Sequence, residues 1–252
     1  MPLREESERQ GNWLFQRRSW LPLLLYPLAI GTMYAYPDTT AHYITSNAWG
    51  LLCLGVSLVG LGVRAFTIGF TPQGTSGRNT DHQVAESLNQ TGMYSVVRHP
   101  LYLGNFLMWL GLFMFIGVWW FVAICSLLYW LYYERIMYAE EEFLRRKYGA
   151  QYEQWASRTP AFIPRLSGWV PAPLPFSFKN VLKREYNGLF AIVISFVVLV
   201  GLSRLFEEPQ AGLRALIDIG ALWRVVFWIG AAVFVGLRTL KKNTHVLDIT
   251  GR

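Results

Sequence analysis

Residues 101–133 form a stretch of 33 positions without one charged side chain, and it limits the folds open to this chain more than any other feature. A helix needs about 20 mostly apolar residues to cross the hydrocarbon core. As one helix the stretch would be about 50 Å long, too long for a single untilted crossing. As two arms it offers about 16 residues each, short of a full span unless the flanks extend them. Gly111 and Gly117 are available for a tight turn between the arms. Four further apolar runs, near residues 20–36, 48–70, 188–202 and 222–237, bring the expectation to six crossings with both termini on one side. Pro22 and Pro27 are expected to bend the first. The second and the last carry one charge each, Arg64 and Arg224.

The placement of charge favours a hairpin over one long central helix. With a hairpin, 19 of the 23 Lys and Arg residues fall on one side; Arg64 and Arg224 lie within spans, and Arg204 and Arg214 lie opposite. A single central span would separate the basic segment 134–186 from the first loops, against the tendency of cations to collect on the cytoplasmic face. The net charge of +7 therefore reads as orientation, and nucleic acid is not expected as a partner. With 53% hydrophobic and 15% charged residues and a mean hydropathy of +0.26, disorder and a disulfide-stapled secreted scaffold are excluded. Cys53 and Cys125 sit in apolar runs and are expected as small buried hydrophobes, with no metal site. The charged first 18 residues, with no small-residue cleavage site after the first apolar run, are not expected to form a cleavable signal.

The expected fold is an all-α, polytopic transmembrane helical bundle of about six spans, including a central helical hairpin, with amphipathic helices on the inner face. It divides into residues 1–70 (tail and two spans), 71–165 (a core around the hairpin) and 166–252 (a basic linker and two spans).

Two inner segments are long and polar. The first opens with the glycine and hydroxyl loop Gly74-Thr75-Ser76-Gly77-Arg78-Asn79-Thr80, which can offer amides and Arg78 to a phosphate or carboxylate, or can simply connect. Thr80-Asp81-His82-Gln83 matches a capping box and is expected to start a short helix ending near Gly92. The pair Arg98-His99 then stands before Pro100, a residue suited to a first helical turn. Taken alone, Arg98 reads as a headgroup anchor and His99 as a hydrogen-bonded interfacial residue.

In the second segment Met137, Glu141, Leu144, Tyr148, Tyr152 and Trp155 share one helical face, with Glu140 flanking it and Glu142 on the polar side. A carboxylate within an apolar stripe at a membrane surface needs a cation, from Arg98, His99, Arg135 or a bound ligand. The basic stretch 178–186 is positioned to meet acidic headgroups.

The run Gly92-x-Tyr94-x-x-x-Arg98-His99-Pro100-x-Tyr102-x-Gly104, followed after a hairpin by Glu140-Glu141-x-x-Leu144-x-x-x-Tyr148-Gly149-x-x-Tyr152, resembles the signature of the isoprenylcysteine carboxyl methyltransferase and phospholipid methyltransferase superfamily. The resemblance covers residues 60–165, and Arg158 and Pro164 resemble its trailing Arg and Pro. It implies methyl transfer from S-adenosylmethionine to a membrane lipid or lipidated acceptor. Gly92, Tyr94, His99, Pro100, Tyr102, Gly104, Glu140 and Glu141 would then bind the cofactor, and Arg98, His99 and Arg158 would serve the reaction. Arg98 or His99 would hold the cofactor carboxylate and Arg158 the acceptor; Arg78, in a loop outside the family signature, is a further candidate for the acceptor on its own chemistry. The residues name no dedicated base, which favours an anionic oxygen as acceptor. An NADPH-dependent membrane reductase of the related sterol-reductase type, or a non-catalytic membrane scaffold, are the alternatives. An integral protein with its termini and site on the cytoplasmic side of a bacterial inner membrane or the endoplasmic reticulum is expected.

Overall fold

The computed structural model describes residues 2–72, 75, 83, 85–249 and 251. Among them it contains helices, turns and no strand. A polar helix α1 (Leu3–Arg17) leads through a 3-10 turn (Leu21–Leu24) into α2 (Leu25–Ala35) and α3 (Pro37–Ile44). The run at 20–36 is thus broken near Pro22, whose missing N–H suits the start of the 3-10 turn. Helix α4 (Asn47–Phe70) is capped by Ser46, whose hydroxyl accepts from the Trp49 amide.

The hairpin is present. Helix α6 (Pro100–Phe115) and helix α7 (Trp119–Tyr148) are joined at Gly117, which adopts φ +76°. A Cβ there would lie 2.1 Å from Tyr43 Cδ2, so both conformation and space call for glycine. α7 runs on without a break through the second polar segment until Gly149 (φ +52°) turns it into α8 (Ala150–Ala156). The basic stretch 178–186 likewise forms the first turns of α9 (Phe178–Glu207), capped by Ser177. α10 (Leu213–Ile217) connects to α11 (Gly220–Asn243).

Against six expected spans, three helices among the described residues are long and apolar enough to cross a membrane: α4, α9 and α11. The apolar stretches Leu21–Ala35 and Pro100–Phe115 are shorter. The 16 residues of α6 reach about 24 Å, less than the roughly 30 Å hydrocarbon core. Two of the outward faces are strongly apolar: Leu51, Leu52 and Val59 on α4, and Val225, Trp228, Ile229 and Val235 on α11. Such surfaces suit lipid contact.

The core is aromatic. Phe196 stacks on Trp223 at 5.4 Å, Phe115 packs on both, and Cys53 and Cys125 are free and buried beside them. α4 and α6 approach closely where Gly60 faces Gly104, and the Ser57 hydroxyl donates to the Met108 carbonyl at 2.8 Å. Small residues permit such contact between apolar helices.

α1 lies along α7. Arg135 donates to the Ser7 hydroxyl (2.7 Å), Arg146 pairs with Glu8, and Arg4 with Glu142 (2.6 Å). This corrects the expectation for Glu142. It is buried, held by Arg4 and Arg145, because α1 covers the face that sequence periodicity assigns to solvent.

Candidate functional site

Short-range hydrogen bonding fixes the first motif. Gly92 adopts φ +59° and its amide donates to the Val170 carbonyl (2.8 Å), while the Ser95 hydroxyl bridges Gly92 O and Val170 N. A short helix, α5 (Met93–Val96), follows, so Gly92 starts a helix where it was expected to end one. Residues 85–91 are non-helical; Thr80, Asp81 and His82 of the capping box lie outside the described residues. Val97 is extended, and the amides of Arg98 and His99 donate to Pro160 and Ala161. The Trp155 indole donates to the Tyr94 carbonyl at 2.9 Å. The motif therefore arrives at α6 clamped between α8 and the 160–170 segment.

α7 carries the acids to meet it. Arg98 grips Glu141 with two donors, Nε to Oε1 at 2.8 Å and Nη2 to Oε2 at 3.2 Å. Its Nη1 donates to the carbonyls of Ala156 and Thr159. His99 Nε2 lies 2.9 Å from Glu141 Oε1, and because a carboxylate only accepts, that nitrogen carries the proton. Burial pushes the Glu141 carboxyl up, but the hydrogen bond and charge of His99, with the charge of Arg98, overcome this and hold it down to about 2. The cation required by Glu141 is thus supplied by the chain itself, and Arg135 is engaged elsewhere.

Glu140 is differently placed. Its Oε1 accepts from the Tyr102 hydroxyl at 2.7 Å and lies 3.5 Å from Arg18. Its Oε2 is 3.7 Å from His99 Nδ1, beyond hydrogen-bond distance.

These groups line a cavity of about 410 Å³, a size suited to a small molecule. Tyr94, Arg98, His99, Pro100, Tyr102, Glu140 and Glu141 all reach its wall. Burial raises the Tyr94 hydroxyl above its usual range, and burial with the Glu141 charge does the same to Tyr152; both stay neutral. Thr75 of the glycine and hydroxyl loop lines the cavity, whereas Arg78 lies outside the described residues.

Three expected residues are not on the wall. Gly92 makes the turn that starts α5. Gly104 faces α4, where a Cβ would sit 2.5 Å from Arg64 Cγ and 2.7 Å from the Gly60 carbonyl. Arg158 is exposed, with its Nε donating to the Gln154 carbonyl.

Other residues reach the cavity without a motif to announce them. Phe15 and Arg18 come from the N-terminal stretch, Asn105 from α6, and Glu185 from α9. Glu185 forms a bidentate pair with Arg64, at 2.8 Å for both contacts. The one signal in the sequence was Arg64 itself, a lone charge inside an apolar span that must find a partner. Among the described residues no group of His, Cys, Asp and Glu is arranged to hold a metal ion.

Comparison with known proteins bears out the resemblance carried by the two motifs. Residues 44–151 match the family model described as phospholipid methyltransferase. The Protein-S-isoprenylcysteine O-methyltransferase of Schizosaccharomyces pombe is 32% identical over 133 residues, 51% of this chain and 55% of that protein. The nickel-cobalt-cadmium resistance protein NccN of Alcaligenes xylosoxydans xylosoxydans is 35% identical, over 51% of this chain and 58% of its own length. The cobalt-zinc-cadmium resistance protein CzcN of Cupriavidus metallidurans is 36% identical over 46% and 50%. The chain spans about half the length of these curated relatives. No solved structure matches it.

Proposed function

We propose that the protein is a membrane methyltransferase that moves a methyl group from S-adenosylmethionine to an anionic oxygen of a lipid or lipidated acceptor. The observation that carries this reading is the meeting of Arg98 and His99 with Glu141 on the wall of one cavity, within the segment that matches the family model.

The donor set fits the cofactor. Its zwitterionic end needs a carboxylate and hydrogen-bond donors, and its base needs aromatic walls. Glu140, with one oxygen lightly engaged, is the acid to receive the ammonium. Tyr94, Tyr152 and Trp155 supply neutral aromatic walls. Arg98 spends its donors on Glu141 and two carbonyls, so it orients the acid; in our reading it does not hold the cofactor carboxylate.

When bound, the cofactor supplies a methyl group on a positive sulfonium, so an O–CH3 bond forms as the CH3–S bond breaks. The chain's work is then placement and exclusion of water. An acceptor that is already anionic needs no base. Glu141 is held ionised and fully paired, which suits a structural anchor and not a proton carrier. The name of the yeast relative makes an isoprenylated cysteine carboxylate one acceptor to test, and the description of the family makes a phospholipid another.

The test uses purified protein in lipid discs. Binding of S-adenosylhomocysteine and methylation of a lipid extract are expected from the wild type, and both are expected to be lost together in Glu140→Gln. Stabilisation by NADPH without stabilisation by S-adenosylhomocysteine would overturn the reading in favour of a reductase.

A further inference from the structure

The deep end of the cavity is assembled from two parts of the chain, and one of them lies outside the segment shared with the methyltransferase family. Arg64 belongs to α4 and Asn105 to α6, both inside residues 44–151; Glu185 belongs to α9, beyond it. Glu185 takes the Arg64 Nε and Nη2 donors, and Asn105 Oδ1 accepts from Nη1 at 2.7 Å. A guanidinium has five N–H donors in one plane. Three are engaged here, leaving one hydrogen on each terminal nitrogen of a side chain that lines the cavity.

Depth follows from helix geometry. Asn105 is six residues beyond His99, about 9 Å further along α6. The motif glycine Gly104 has its place in the same device: it leaves the notch through which the Arg64 stem passes. Arg184 lines the cavity beside Glu185. A pair serving only to hold α4 against α9 would be replaceable by apolar packing at no loss. Lining a cavity with donors left over fits a different purpose.

We infer that Arg64, aimed by Glu185 and Asn105, grips the anionic group of the acceptor, a carboxylate or phosphate, so that α9 takes part in acceptor choice. Glu185 and Asn105 are positioning residues. The inference rests on the methyltransferase reading, and it divides the cavity into a donor end at Glu140–Glu141 and an acceptor end at Arg64.

The experiment separates the ends. Full-length protein in lipid discs is assayed for S-adenosylhomocysteine binding, and for methyl transfer to S-farnesylcysteine, to phosphatidic acid and to a total lipid extract. Arg64→Lys, which keeps the charge but loses the fork, is expected to raise KM for the accepted probe about tenfold with kcat nearly unchanged. Glu185→Gln is expected to raise KM in the same direction, and neither variant should shift S-adenosylhomocysteine affinity more than about twofold. The pair Arg64→Gln with Glu185→Gln removes both charges of the buried pair together and guards against misfolding. An unchanged KM in that folded double variant overturns the inference, as does cofactor-analogue affinity falling in step with KM. A wild type that binds the analogue but methylates none of the acceptors also overturns it. A wild type that binds no S-adenosylhomocysteine overturns the methyltransferase reading itself, before any variant is compared. Preference for S-farnesylcysteine or for phosphatidic acid identifies the anion as carboxylate or phosphate.

Discussion

The cavity has two Arg–Glu pairs of similar geometry and contrasting surroundings. Arg98–Glu141 joins the loop before α6 to the projecting end of α7, and His99 and two carbonyls share the load. Arg64–Glu185 joins α4 to α9 inside the bundle, with Asn105 as the additional partner named for Arg64. The difference lies at the carboxylate: Glu141 is held by both Arg98 and His99, whereas the extra partner in the second pair, Asn105, serves the arginine. A carboxylate with a second donor tolerates losing its arginine, whereas a buried one that loses its arginine is left as a stranded charge.

Stability measurements on single truncations can break this contrast. Arg64→Leu strands Glu185, whose side chain is 6% exposed, and should cost about 3–5 kcal/mol. Adding Glu185→Leu should recover most of that loss. Arg98→Leu leaves Glu141 on His99 and should cost less, about 1.5–3 kcal/mol. Equal costs in thermal unfolding would show that the two pairs are equivalent.

Function should reverse the ranking at the donor end. Glu141→Gln weakens charge-assisted bonds worth about 1.5–3 kcal/mol, so S-adenosylhomocysteine affinity is expected to fall about 10- to 150-fold by titration. The tip of the hairpin that carries both motifs is the next lever. Gly117→Ala forces a side chain into φ +76° and against Tyr43, and should lower stability by about 1–3 kcal/mol.

A pH series sharpens the comparison further. The Glu141 carboxyl is lowered from 4.5 to about 2 in the folded protein. Its contribution is therefore fully present above pH 4.5 and is lost as pH falls towards 2. The gap in melting temperature between wild type and Glu141→Gln should be constant from neutral pH to about 5, then narrow in more acid buffer. Arg158→Ala should do least. Its side chain is exposed and donates to the nearby Gln154 carbonyl, so turnover should change less than about twofold.

The same contrast explains which features can be read from sequence. The hairpin is legible because an uncharged stretch too long for one crossing must fold back, and the motif pair is legible because its residues are spaced along two helix ends. Arg64–Glu185 spans 121 positions and Arg4–Glu142 spans 138. Helical periodicity carries no information at such separations, so Glu142 reads as solvated until α1 is seen lying over it. Resemblance has a complementary weakness. It transfers Arg158 and Gly104 with the motif, but the cavity wall is decided by packing, which puts Arg158 in solvent and Gly104 against Arg64.

The unbroken length of α7 has a mechanical consequence. Its 30 residues make a rod of about 45 Å, some 15 Å longer than the hydrocarbon core. Nothing breaks the rod between its apolar arm and Glu140–Glu141, so any tilt of that arm is carried to both acids.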